Sequence, residues 1–234
     1  HTTNQSYYNP NIAVDSANNL HIVYSGYLSG YTYKQILYKK YSGGSWGSET
    51  RLSDNDYKGM SIAWIAITSN DYLHVVWHGG SADANIYDVY YKKYTTSWQS
   101  VEKIVDLSSP YTANYSASIG ADRSDNLIVA YSITCADCET KYQIHIKKYE
   151  NASWGSATKI TSGTTYGNNY NTNVLWANHP TNVVKPRTGY GLTYMPYGYF
   201  MIFLSSDISF SNPKYQLIKS YDYNSSATGT ARLA

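Results

Sequence analysis

Cys135-Ala136-Asp137-Cys138 contains both cysteines of the chain and is its tightest grouping of side chains suited to redox or metal chemistry. A zinc site needs two more ligands, and neither a second Cys-x-x-Cys nor a His-x-x-x-His is present. A redox pair would want an alternating strand–helix context, which this sequence lacks. A short disulfide pinning a loop is therefore the preferred reading, with free thiols as the alternative, and no metal or cofactor is expected. Carriers of acid–base chemistry are few. The chain has four glutamates, Glu49, Glu102, Glu139 and Glu150, and four arginines, Arg51, Arg123, Arg187 and Arg232. No Ser/His/Asp spacing or phosphate-binding glycine loop stands out, and Gly43-Gly44 and Gly79-Gly80 read as turns.

Tyrosine is the chemistry in excess. It fills 28 of 234 positions, while all charged residues together make up 15%. Tyrosine combines β propensity with large contact area at low entropic cost, and suits surfaces that touch other molecules. A formal charge of +2 argues against nucleic acid or an anionic membrane as partner. No apolar run reaches the roughly 18 residues of a membrane helix, so no membrane insertion is expected. The chain opens on His1 without a signal peptide, so a processed or trimmed N-terminus is expected. Asn-x-Ser sequons at Asn4, Asn114, Asn151 and Asn224 are glycosylation candidates and fit an extracellular or cell-surface protein.

The elements that must position these residues repeat. Leu20-His21-Ile22-Val23-Tyr24 recurs as Leu73-His74-Val75-Val76-Trp77 and as Leu127-Ile128-Val129-Ala130-Tyr131. Each is followed by Tyr38-Lys39-Lys40-Tyr41, Tyr91-Lys92-Lys93-Tyr94 or Ile146-Lys147-Lys148-Tyr149, then by Trp46, Trp98 or Trp154. Such a period, built of strand-length runs, predicts radially repeated β structure. Each unit parses into strands A to D; in the first these are 11–14, 20–24, 35–41 and 49–52. A fourth, degraded copy is placed at 182–184, 190–194, 199–204 and 215–219. Both strand faces are apolar, as a blade packed between two others requires and a one-sided sandwich does not. The expected fold is an all-β propeller of four-stranded antiparallel blades, four recognisable in this chain. It forms one domain over 1–234, with blades near 7–57, 58–112, 113–165 and 166–222 and a tail at 223–234. His21 and His74 share a register position with Ile128, which marks them as packing between blades. The paired lysines are read as solvated or snorkelling.

The run from Leu73 through Tyr91-Lys92-Lys93-Tyr94 to Trp98 resembles the sialidase-like, Asp-box (BNR) repeat β-propellers, over roughly residues 7–161. Aligned on the tryptophans, Gly43, Ser45 and Trp46 match the tail of the Asp-box, while Tyr41, Tyr94 and Tyr149 occupy its aspartate position. The resemblance implies blades around a central axis. It also implies what a sialidase would need: three arginines for the substrate carboxylate, a Tyr/Glu nucleophile pair and an acidic proton donor. Arg51 falls in a D strand, Arg123 in an A–B turn and Arg232 in the tail, so no triad assembles. The expectation is a chain that is not an enzyme.

In a propeller the B–C and D–A loops share one face and the A–B and C–D turns the other. The A–B turns, 15–19, 68–71 and 122–126, are short and polar, ordinary turn chemistry. The opposite loops are long and aromatic, and loops of that kind on one rim point to function. They place Tyr27, Tyr31, Tyr33, His78, Asp83, Tyr111, Tyr115, Tyr166, Tyr170 and Tyr197 on one face as ligand-binding candidates. Rings beside Asn and Asp suit sugars, whose C–H faces stack while hydroxyls take directed hydrogen bonds. The expected function is non-catalytic binding of glycan or another surface ligand. The alternative is a structural or adhesive module of a filament, appendage or phage fibre, in which the face contacts a cell-surface protein or mediates self-association.

Overall fold

Runs of β-branched and aromatic residues, cut by Asn, Asp and Gly turns, make each repeat an antiparallel meander. The computed structural model describes residues 6–54, 61–80, 87–107, 114–121, 125–134, 142–159, 171–177, 199–205, 215–222 and 228–229. The first blade is β1 (Tyr7–Val14), β2 (Leu20–Gly26), β3 (Gln35–Ser42) and an outer edge in two pieces, β4 (Ser45–Trp46) and β5 (Thr50–Arg51). The second is β6 (Ser61–Ile67), β7 (Leu73–Gly80), β8 (Tyr87–Tyr94) and β9 (Glu102–Val105). The third is β10 (Asn114–Ala121), β11 (Leu127–Thr134) and β12 (Tyr142–Glu150), edged by β13 (Ser153–Trp154) and β14 (Thr158–Lys159). The fourth is β15 (Asn171–Ala177), β16 (Tyr199–Ser205), β17 (Tyr215–Asp222) and β18 (Thr228–Gly229). First strands lie side by side, β1 by β6, β6 by β10 and β10 by β15, and so form the inner wall. The chain is an all-β propeller with four four-stranded antiparallel blades.

The fourth blade is shifted by one strand from its sequence parse. The runs read as its third and fourth strands, 199–204 and 215–219, are its second and third. Its first strand is 171–177, which the sequence parse did not count as a strand, and β18 lies within the expected tail. The parse failed because Tyr199–Ser205 is the most apolar run of the unit, as a second strand should be. The intervening 178–198, including the runs at 182–184 and 190–194, lies outside the described residues.

Adjacent strand residues serve opposite neighbours. Val75 of β7 packs with Val23, Ile36, Tyr38 and Leu52 of the first blade, together with Ile65, Trp77 and Tyr90. Val76, one residue on, packs with Ile119, Leu127, Val129 and Tyr131 of the third blade. Both valines are fully buried. The period-two alternation thus splits one strand between two cores, which explains why no wet face appears in the sequence.

Polar side chains repeat across the same seams, and here two expectations need correction. In the second and third blades the first lysine of the pair does not snorkel. Lys92 is buried and donates to the carbonyl of Leu52 at 3.0 Å and to Asp54 at 2.9 Å, both in the preceding blade. Lys147 does the same to the carbonyl of Ile104 at 2.6 Å, and its burial pulls its pKa down. Strand alternation aims this position at the neighbouring outer strand, where it meets a carbonyl and not solvent.

The A–B turns also do more than reverse the chain. Asn18, Asp71 and Asp125 hold the left-handed position, with φ of 62°, 60° and 63°, which Asn and Asp tolerate. Ser16 donates its amide and hydroxyl to the two carboxylate oxygens of Asp71 at 2.8 and 2.5 Å. Ser69 repeats this on Asp125 at 2.6 and 2.9 Å. Each turn is thereby clasped to the turn of the next blade.

Candidate functional site

The best described part of the rim is the loop between β2 and β3. Tyr31 donates its amide to the carbonyl of Leu28 at 3.2 Å, with Gly30 at φ 86°, as the third position of a type II turn requires. The tight turn raises Tyr27, Tyr31 and Tyr33 to the surface, where all three are exposed. Tyr8, at the rim end of β1, stands edge-on to Tyr27 with ring centroids 6.5 Å apart. Lys34 sets its Nζ 4.2 Å from the centre of the Tyr8 ring and 5.9 Å from that of Tyr27. Arg51 lies 4.5 Å from the Tyr31 ring and is steadied by a 3.2 Å bond to Gln35 Oε1, which also accepts from Ser53. The result is a ledge of exposed rings, of which Tyr8, Tyr27 and Tyr31 are each backed by a cation. Tyr8, Lys34 and Arg51 were missed from sequence; the signal lay in strand register, since Arg51 pairs with Leu37 of β3.

Gly26, the last residue of β2, is a packing glycine. A Cβ there would sit 2.5 Å from the Tyr7 ring and 3.2 Å from Leu37. Tyr7 in turn meets Tyr24 edge-on at 5.5 Å, and Tyr24 donates to Glu49 Oε2 at 2.5 Å. Burial, then the bond to Glu49, pushes the Tyr24 pKa upward. That keeps it a phenol, the reverse of what a phenolate nucleophile needs. Its register counterparts, Trp77 and Tyr131, are fully buried at seams between blades.

His78 is not a loop residue. It lies inside β7, opposite Val89, and is buried, so the second strand runs three residues past Trp77, where the sequence suggested that it ends. Burial lowers its pKa to about 4, which keeps the imidazole neutral. Its Nδ1 has no hydrogen-bond partner among the described residues, and the Tyr87 ring meets it edge-on at 6.4 Å. Tyr115 likewise falls within β10 and not in a loop. Asp83, Tyr111, Tyr166, Tyr170 and Tyr197 lie outside the described residues, as do Cys135, Cys138, Asn4 and Asn224. Tyr197 belongs to the segment joining β15 to β16, whose ends meet at the pair Ala177–Tyr199, the end equivalent to the A–B turns. Asn114 falls in β10, and Asn151 lies in an exposed turn at φ 51°. Among the described residues no group of three or more His, Cys, Asp or Glu is arranged to hold a metal ion. None of those residues forms a helix long and apolar enough to cross a membrane.

No protein-family model matches the chain, and no curated protein matches it in sequence. Solved structures do match in fold. The Hadza microbial sialidase is 10% identical, with a TM-score of 0.57, over 86% of this chain and 42% of its own. A Dyadobacter fermentans protein of unknown function is 10% identical, with a TM-score of 0.61, over 87% and 63%. The Penicillium chrysogenum α-L-arabinanase, solved with arabinobiose, is 12% identical, with a TM-score of 0.53, over 89% and 64%. The chain spans less than two thirds of the length of each of these three. Its fold is that of a propeller of the sialidase/arabinanase type.

These matches overturn the expectation that the chain is not an enzyme, because glycoside hydrolases are among the proteins built on this fold. The missing arginine triad bears only on a carboxylate-carrying substrate, so its absence does not exclude other glycoside hydrolysis.

Proposed function

We propose that this chain engages carbohydrate through the tyrosine-lined rim. The observation that carries the reading is the ledge formed by Tyr8, Tyr27 and Tyr31, exposed and backed by Lys34 and Arg51. The apolar face of a sugar ring stacks on such tyrosines while its hydroxyls accept from the neighbouring ammonium and guanidinium. A sialidase and an arabinanase with this fold support a glycan as ligand class. Tyr33 completes the ledge, and Tyr111, Tyr166 and Tyr170 extend the site from the D–A connections. The setting is extracellular, with Asn151 open to glycosylation and Cys135 and Cys138 joined as a local disulfide. The repeat is read as a degenerate Asp-box unit, and the four blades as one domain.

The test is a glycan array combined with chromogenic sialoside and α-L-arabinofuranoside hydrolysis, run on the parent chain and on Tyr27→Ala and Tyr31→Ala. Expected is retention of a discrete glycan set, weakened at least tenfold in the variants, with their melting temperatures unchanged. Retention of no glycan and turnover of no glycoside sinks the proposal, and so do variants that bind as the parent does.

A further inference from the structure

One register position anchors the rim ends of the first two blades. Gln35 opens β3 opposite Gly26, and Asp88 stands opposite Gly79 in β8. Both side chains are fully buried. Gln35 Oε1 accepts from Ser53 Oγ at 2.7 Å and from Arg51 Nη1 at 3.2 Å, and its Nε2 donates to the Tyr33 carbonyl at 3.0 Å. Asp88 accepts from the Leu107 amide at 2.8 Å and pairs with Lys103 at 3.0 Å. The two cations are equivalent as well. Arg51 pairs with Leu37 and Lys103 with Tyr90, each two residues beyond the anchor on the third strand. In both blades, then, a buried acceptor at the rim end of the third strand holds a cation from the outer strand. The third blade has Gln143 and Lys159 at these two register positions.

The two anchors differ in charge. Asp88 brings a carboxylate, and with Asp106 at 3.1 Å it gives Lys103 two of them. Gln35 is a neutral amide. Arg51 meets the amide oxygen and the face of Tyr31, and no carboxylate among the described residues. An amide oxygen fixes the direction of a guanidinium without cancelling its charge, whereas a carboxylate in contact cancels most of it. We propose that this register position is a specificity determinant of the rim, with Gln35 the positioning residue that presents Arg51 to a ligand with its charge intact. The inference rests on the carbohydrate reading above. It makes the first blade the place where an acceptor oxygen of the stacked sugar is gripped, while the matching cation of the second blade is already spent on Asp88 and Asp106.

The test compares variants by glycan retention, melting temperature and the NMR ring-current shift that Tyr31 imposes on the Arg51 side chain, which needs no ligand. Gln35→Glu is isosteric and keeps an acceptor for Arg51, so the shift should persist while retention falls at least tenfold. Gln35→Met should lose both. In an Arg51→Gln background Gln35→Glu should cause no further loss, because its effect runs through the guanidinium. Ser53→Ala also strips Gln35 of a partner and should lower the melting temperature, yet leave shift and retention as in the parent. Retention by Gln35→Glu equal to the parent overturns the proposal, and so does an equal loss of retention in Ser53→Ala. If the parent retains no glycan, the carbohydrate reading fails and the shift decides this one. Arg51 released from the Tyr31 ring in Gln35→Met supports it, and Arg51 still in place there overturns it.

Discussion

His74 Nδ1 lies 2.8 Å from Tyr91 Oη across β7 and β8, the same separation as His21 from Tyr38 one blade earlier. In the third blade both positions change together, to the buried pair Ile128 and Ile146. One chain thus uses a hydrogen-bonded pair and an apolar pair interchangeably at one seam position. Two apolar partners of matching shape leave nothing unsatisfied, whereas a lone polar group does.

Tyr91→Phe should therefore destabilise by about 1–3 kcal/mol, because it strips the buried His74 Nδ1 of its partner. His74→Ile with Tyr91→Ile should cost less than the sum of His74→Ile and Tyr91→Ile alone. Urea unfolding of the four proteins measures the coupling, and strict additivity would refute it.

Acid should weaken the fold through its histidines. Burial, then Lys93, lowers the His74 pKa from 6.5 to about 3, and burial lowers that of His78 to about 4. Both histidines are neutral when folded, and between these values and 6.5 the unfolded chain binds more protons. Stability is complete above about pH 6.5 and falls as pH drops towards 4, by up to about 1.4 kcal/mol per pH unit for each histidine. Replacing His74 and Tyr91 together by Ile should shallow that slope by one proton, read from unfolding midpoints between pH 7 and 4.

Lys92→Met keeps the aliphatic stem but removes the donor to the Leu52 carbonyl. The expected loss is about 1–3 kcal/mol, mostly from the carbonyl left buried. Lys93→Met, one residue on and less buried, should cost much less. Equal costs would mean that the backward bond contributes little.

Gly26→Ala places a methyl group within the Tyr7 ring and should push that ring off Tyr24, loosening the rim end of β1. Faster amide exchange across β1 is the expected signature. Adding Tyr7→Ala should restore slow exchange, since it removes the clash.

The second strands were legible because five consecutive residues repeat with their turns attached. Propeller packing was legible because neither strand face is polar. The role of Lys92 was hidden, since a lysine on a strand looks alike whether it meets water or a carbonyl from 40 residues back. The Ser16–Asp71 clasp was hidden for a related reason: each half alone is an ordinary turn residue, and only the next blade pairs them. His78 was misplaced because Gly79-Gly80 resembles a turn, yet both glycines stay in register with Asp88 and Tyr87. The rim tyrosines outside the described residues were proposed on loop composition alone.

The turn clasps have a polarity. In each, hydroxyl and amide come from the earlier blade and the carboxylate from the later one, while the lysine reaches the opposite way. Such a joint mates in one orientation only, like a tongue and its groove. Units with these fittings can multiply in tandem or be spliced in series, but two of the same hand cannot be joined face to face.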